Sequence, residues 1–177
     1  MKSNYQVEKF FTEEETDNLL SLFISLPENL AHQDYNLFDV DKRPIPFSQW
    51  SKEIEKLNAY QSELEPQAHY FIKYPVNSFT RLHTDNNKVV KKTVVTILET
   101  KNLIGGETLL FNTYNKRSRP ANKYAKRGNK PAPVGKDIIP VVVNINDGDS
   151  IIYDANTNHG VSQVIQGHRI VLISWFK

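Results

Sequence analysis

Arg81-Leu82-His83-Thr84-Asp85 is the stretch on which the reading of this chain turns. Side chains two residues apart on an extended segment project to one face, so His83 and Asp85 can reach a common point in space. A third donor completes the set at His159, 76 residues further on and shortly after the apolar segment Ile151–Tyr153. Ten residues beyond that, Arg169 opens the β-branched run Arg169–Phe176. A guanidinium among Ile, Val and Leu calls for an anion at the same depth. A lone His-x-Asp is common as two polar residues at a strand end; the company of His159 and Arg169 gives this one its weight.

Two imidazoles and a carboxylate on one side of an ion leave the opposite positions open, the donor set of non-haem Fe(II) centres. The chain has no cysteine, which excludes disulfides and thiolate metal sites and suits a reducing, intracellular setting. Its 177 residues, 39% of them hydrophobic, suit a single domain (1–177) with a real core. No apolar run approaches a membrane span, and Met1–Glu8 lacks the apolar heart of a signal peptide, so a cytoplasmic location is expected. Charge is unevenly spread. Net charge is +2, yet residues 112–136 hold eight of the 22 basic residues and none of the 20 acidic ones.

Outward from the motif the pattern divides in two. Residues 1–66 read as a helical support. Tyr5–Phe11 alternates as a first strand, and Thr12-Glu13-Glu14-Glu15 is a capping box opening a helix whose stripe is Leu19, Leu20, Leu22, Phe23 and Leu26. Asn29–Pro46 reads as a loop, with Tyr35, Phe38 and Arg43 unplaced. From Pro46 or Phe47 to Leu64 a second helix is expected, with Trp50, Ile54 and Leu57 on one side. Residues 67–177 read as strands: Ala68–Tyr74, Thr93–Leu98, Thr108–Phe111, Ile138–Ile145, Ser150–Tyr153, Val161–Ile165 and Arg169–Phe176. Helices followed by closely spaced short strands predict an α+β fold with a barrel or jelly-roll core.

Alternation puts Arg169, Val171, Ile173 and Trp175 on one face of the last strand and Ile170, Leu172, Ser174 and Phe176 on the other. Thr96 and Leu98 share a face of the strand after the His-Thr-Asp motif, and either is a candidate to line a cavity. His32, His69 and His168 read as non-ligands.

Tyr74, His83-Thr84-Asp85, Gly105-Gly106-Glu107, His159-Gly160-Val161, Arg169 and Trp175 together resemble the prolyl-4-hydroxylase-type branch of the iron(II)/2-oxoglutarate-dependent oxygenases. The resemblance runs from about Ala68 to the C-terminus and covers the N-terminal helices more loosely. It implies a double-stranded β-helix core and His83, Asp85 and His159 as Fe(II) ligands. It further implies Arg169 on the distal carboxylate of 2-oxoglutarate, with Tyr74, Val161 and Trp175 lining that co-substrate pocket. The reaction implied is hydroxylation of an unactivated C–H with O2, of a prolyl residue in a peptide or protein first and of a free amino acid or small molecule second. Two departures stand out. Asn77 occupies a position where the family often has Gly, and Asn tolerates the left-handed turn. Trp175 replaces the second Arg of the branch that repairs nucleic-acid bases, which weakens that alternative. A metal-binding barrel without oxygenase activity and an interaction module on the same fold are the remaining readings. The basic insertion 112–136 is expected to be a lid over the iron mouth, against a plain solvated loop or a nucleic-acid tether.

Overall fold

In the computed structural model the described residues are 5–85, 89–111 and 140–177. The basic insertion 112–136, expected above to form a lid, lies outside them. Ten strands form one curled, mostly antiparallel sheet, and an eleventh pairs off its side. In chain order the elements are β1 (Tyr5–Lys9), α1 (Glu13–Ser25), β2 (Leu30–Asp34), β3 (Leu37–Pro44), a 3-10 turn (Phe47–Gln49), α2 (Lys52–Tyr60), β4 (Pro66–Tyr74) and β5 (Phe79–His83). There follow β6 (Lys92–Gly105), β7 (Thr108–Phe111), β8 (Pro140–Val143), β9 (Asp149–Asp154), β10 (Asn158–Val161) and β11 (Val164–Phe176). Across the sheet the order is β1-β9-β6-β11-β4-β3-β5-β10-β7-β8, with β2 on β3. This is the jelly-roll, double-stranded β-helix arrangement expected above.

β11 sits at the centre, paired on one side with β4 and on the other with β6. Both its faces are covered, which is why it reads as an almost unbroken apolar run. Ile170, Leu172 and Phe176 pack outward with Phe71, Val94, Leu98 and Ile152 against Leu19 and Phe23 of α1 and Ile54 and Leu57 of α2. Val171 and Ile173 face the hollow of the curl with Ile72, Tyr74, Val95, Ile97, Tyr153 and Val161. The alternation read from Arg169–Phe176 therefore holds. Of the strand after the motif, Thr93 and Val95 line the hollow, while Leu98 packs toward the helices and Thr96 hydrogen-bonds Ser150. That corrects the candidates Thr96 and Leu98.

The capping box is formed: the Thr12 hydroxyl accepts from the Glu15 amide, and the Glu15 carboxylate accepts from that of Thr12. Asn29–Pro46 is a hairpin, not a loop. β2 is too polar and too exposed to show alternation, and β3 buries Asp41, a residue that signals a surface in sequence. Arg43 explains the exception. Its Nε and Nη2 both donate to Asp41 Oδ2, at 2.9 and 2.7 Å, and its Nη1 donates to the carbonyls of Phe23 and Leu26, each at 2.8 Å. Those carbonyls close α1, which has no basic residue in its last turn. Arg43 so supplies the positive end-charge that the helix lacks.

The expected second helix is shorter, because Trp50 is extended (ψ 119°) and separates the 3-10 turn from α2. The expected strand Val161–Ile165 is divided between β10 and β11, since Ser162 turns aside to bond Glu107. Asn77 does take the left-handed conformation, with φ 73°.

His69, 2% exposed, lies on the helix side of β4, with Nδ1 2.8 Å from Ser174 Oγ. Burial lowers its pKa from 6.5 to about 4. The unfolded chain therefore takes up a proton near pH 6.5 that the folded chain refuses until about pH 4, and stability falls as pH drops through that window. Between pH 7.5 and 5 the loss from this residue comes to about 2 kcal/mol. Urea unfolding at the two pH values, compared between the parent and His69→Gln, should show the variant losing less by about that amount.

Candidate metal and co-substrate site

His83 ends β5, and Asp85 follows two residues later beyond the strand. β10 lies antiparallel beside β5 with His159 opposite His83, which turns a long sequence separation into direct contact. The two rings are 4.2 Å apart between centroids. Asp85 faces both: its Oδ1 is 3.5 Å from His83 Nε2 and its Oδ2 3.5 Å from His159 Nε2. One donor atom from each of the three residues lies within 4.8 Å of the others. No side chain at Gly160 could be accommodated, because a Cβ there would stand 2.9 Å from the Thr80 carbonyl of β5. Glycine beside His159 is what lets the two strands close.

Both histidines are oriented from behind. Nδ1 of His83 lies 2.8 Å from the Arg81 carbonyl and Nδ1 of His159 3.0 Å from that of Thr157. A carbonyl only accepts, so each Nδ1 carries the proton and each Nε2 offers its lone pair to the common centre. Burial, then the neighbouring His83, lower the His159 pKa to about 4 against the opposing pull of Asp85, so the ring is neutral near pH 7. Burial alone would raise the Asp85 pKa. The neighbouring His83 and His159 rings and the Thr93 hydroxyl, which donates to Oδ2 at 2.7 Å, outweigh it and keep the carboxylate ionised. Two neutral imidazoles and one anionic oxygen donor suit a borderline divalent cation such as Fe(II).

The triad opens into a cavity of about 550 Å3 whose walls include Tyr74, Thr93, Val161, Arg169 and Trp175. Arg169 is 4% exposed. Its Nη1 donates to the Gly106 carbonyl at 2.5 Å and to Thr108 Oγ1 at 3.1 Å, while its buried Nε has no partner. The guanidinium lies 5.1 Å over the Tyr74 ring, and Tyr74 in turn shares a 2.9 Å hydrogen bond with Thr80. Among the described residues no carboxylate forms a salt bridge with Arg169. Burial works against its charge, yet a guanidinium keeps its proton. A buried cation with an idle donor, in a cavity shared with a facial metal triad, suits a small dicarboxylate that also chelates the metal.

Tyr74, Val161, Arg169 and Trp175 line this cavity with the triad of His83, Asp85 and His159, whereas Thr96 and Leu98 do not. His32 is exposed and pairs with Asp39, His168 bonds Glu99, and His69 is on the far side of the sheet. Thr93 escaped the sequence reading. A threonine at a strand start carries no local mark of a partner eight residues back, and only the sheet register reveals it.

No protein-family model and no curated protein matches the chain. Solved structures do match. A 2OG-Fe(II) oxygenase family oxidoreductase from Burkholderia pseudomallei superposes with TM-score 0.70 at 16% identity, over 98% of this chain and 85% of its own. A prolyl-4-hydroxylase from Pseudomonas putida gives TM-score 0.70 at 15% identity, covering 98% and 92%. HygX from Streptomyces hygroscopicus, with nickel and 2-oxoglutarate bound, gives 0.71 at 14%, covering 98% and 82%. The solved structures that this chain is similar to thus include a 2OG-Fe(II) oxygenase and a prolyl-4-hydroxylase, and the fold is shared with them.

Thr93→Val removes the hydroxyl from Asp85 with almost no change of shape. Calorimetric titration with Mn(II) in place of iron should show affinity falling about 10- to 100-fold, with the thermal midpoint close to the parent's. An unchanged affinity would mean Asp85 needs no such support.

Proposed function

We propose that this chain is an Fe(II)- and 2-oxoglutarate-dependent dioxygenase that hydroxylates an unactivated C–H, of a prolyl residue in a peptide or protein. The observation that carries the reading is the pairing, in one cavity, of the His83, Asp85 and His159 triad with a buried cation that forms no salt bridge among the described residues. His83, Asp85 and His159 hold the iron through Nε2, a carboxylate oxygen and Nε2. Arg169 takes the far carboxylate of 2-oxoglutarate through the donors left free by Gly106 and Thr108, and Tyr74, Val161 and Trp175 wall the co-substrate. Bound iron and 2-oxoglutarate supply the oxidising power, one oxygen of O2 entering the substrate and the other succinate, with loss of CO2.

The chain's own part is placement and exclusion. The backbone carbonyls of Arg81 and Thr157 fix both ring tautomers before metal arrives, so no proton has to move at Nε2. Asp85, already ionised and held by Thr93, brings one negative charge to the centre. Val95, Val161 and Ile173 make the surrounding wall apolar and keep water away from the C–H under attack. A prolyl substrate is supported by the shared fold with the Pseudomonas putida prolyl-4-hydroxylase, and the carboxylate at Asp85 favours oxygen insertion as the reaction.

The membrane and nucleic-acid readings gain nothing here. No helix among the described residues is long and apolar enough to cross a membrane, and Trp175 stands where a base-repair enzyme would carry a second Arg.

Succinate release under Fe(II) and O2, run against proline peptides, free amino acids and oligonucleotides, tests both the activity and the substrate. Arg169→Ala should raise the apparent 2-oxoglutarate constant about 100-fold or more, on the order of 3–5 kcal/mol, with Lys restoring part of it. An unaltered constant in the Ala variant would remove Arg169 from the co-substrate site.

A further inference from the structure

Behind one wall of the cavity lies a second groove of about 440 Å3. Lys42, Tyr70 and Trp175 line both, so these side chains are the wall that the two hollows share. Phe47, Trp50, Pro66 and His69 complete the groove. Its rings are set against one another: Phe47 tilts on Trp50 at 4.4 Å, Trp50 stands edge-on to His69 at 4.7 Å, and Tyr70 edge-on to Trp175 at 5.2 Å. Phe47 is 76% exposed although nothing polar about it favours that position. Trp50 Nε1, His69 Nε2 and Trp175 Nε1 are all buried and lack a hydrogen-bond partner among the described residues. His69 is itself 2% exposed. Buried polar atoms of native proteins nearly always have partners, and three orphaned ring nitrogens in the walls of one groove mark a place where partners come from outside.

Resting on the oxygenase reading above, we propose that this groove is a substrate subsite for an extended polypeptide segment flanking the residue oxidised in the cavity. A chain that leaves the cavity over the shared edge of Tyr70 and Trp175 would next meet the groove. An extended segment brings one carbonyl acceptor per residue that no internal hydrogen bond uses, and the ring faces pack against prolyl and aliphatic side chains. Nucleic-acid bases also stack on aromatic rings, but a phosphodiester backbone needs cations beside them. Among the described residues the groove's one cation, Lys42, is held by Asp34 at 2.8 Å. A free amino acid fills the cavity without reaching Phe47. The substrate class that this surface selects is therefore a polypeptide.

Trp50 and Trp175 are the chain's two tryptophans, so intrinsic fluorescence reports on the groove. The full chain loaded with Mn(II) and 2-oxoglutarate is titrated with a blocked decapeptide of alternating Pro and Ala, with N-acetylprolinamide, and with a short oligothymidylate. The decapeptide should change the emission saturably with a dissociation constant on the order of 0.1–1 mM, and N-acetylprolinamide should not. Phe47→Ala, at an exposed position, should weaken the decapeptide about five- to tenfold while leaving Mn(II) affinity and circular dichroism at the parent values. No saturable change up to about 5 mM decapeptide overturns the proposal. So does equal binding of the single prolyl unit, an unweakened Phe47→Ala, or saturation by the oligothymidylate in place of the peptide. The titration reads binding without turnover, so a chain that releases no succinate yet binds the decapeptide sinks the oxygenase reading alone. Succinate release with no fluorescence change sinks only the groove.

Discussion

The pairing of β10 with β5 is the contact on which the site depends. β10 is four residues long and is held on its other edge by β7. It therefore fixes His159 against His83 while joining the strand that carries Thr108, an acceptor for Arg169. A slip of one residue would turn His159 out of the hollow, because alternate residues of a strand face opposite ways. Gly160 permits the approach and the Thr157 carbonyl sets the ring, so backbone geometry on both sides of His159 serves one side chain. Metal and co-substrate ends of the cavity are thus registered to each other through one short strand.

The two faces of the sheet divide the work. The outer face, with α1 and α2 on it, is an ordinary apolar core and supplies the stability. The inner face accepts what a stable core avoids: an ionised carboxylate, two histidines and a guanidinium, with Asp85 and Arg169 the most deeply buried of the four. A charge held at depth with no salt bridge among the described residues, as at Arg169, destabilises the fold and is relieved by a ligand of opposite sign. Arg43 and Asp41 show the alternative solution in the same protein. There a buried cation and anion meet each other and the carbonyls at the end of α1, and nothing is left for a ligand to do.

What the sequence disclosed follows from how local each signal is. His83, Asp85, His159 and Arg169 were legible because polar residues stand out against the apolar strand ends around them. The face of β11 that looks into the hollow was legible because two-residue alternation needs no knowledge of the partner strands. The β2–β3 hairpin was not, since β2 is exposed on both faces and β3 buries a charge whose partner is supplied by its own neighbour and by a helix far back in the chain. Helix α2 began late because Trp50, apolar and correctly spaced, serves the second groove instead of the helix stripe. The inward set Thr93 and Val95 required the register with β9 and β11, which no window of sequence contains.

β11 follows the other described strands along the chain, yet it lies at the middle of the sheet between β4 and β6. While the earlier residues emerge from the ribosome, those two strands have no common partner, and the apolar faces of α1 and α2 have only part of their platform. The sheet can become cooperative only when Val164–Phe176 inserts between elements made long before. Contacts of such high sequence separation fold slowly and leave strand edges open meanwhile. A chain lacking Val164–Phe176 would thus lose the centre of its sheet, the strand that joins β4 to β6, and not an edge.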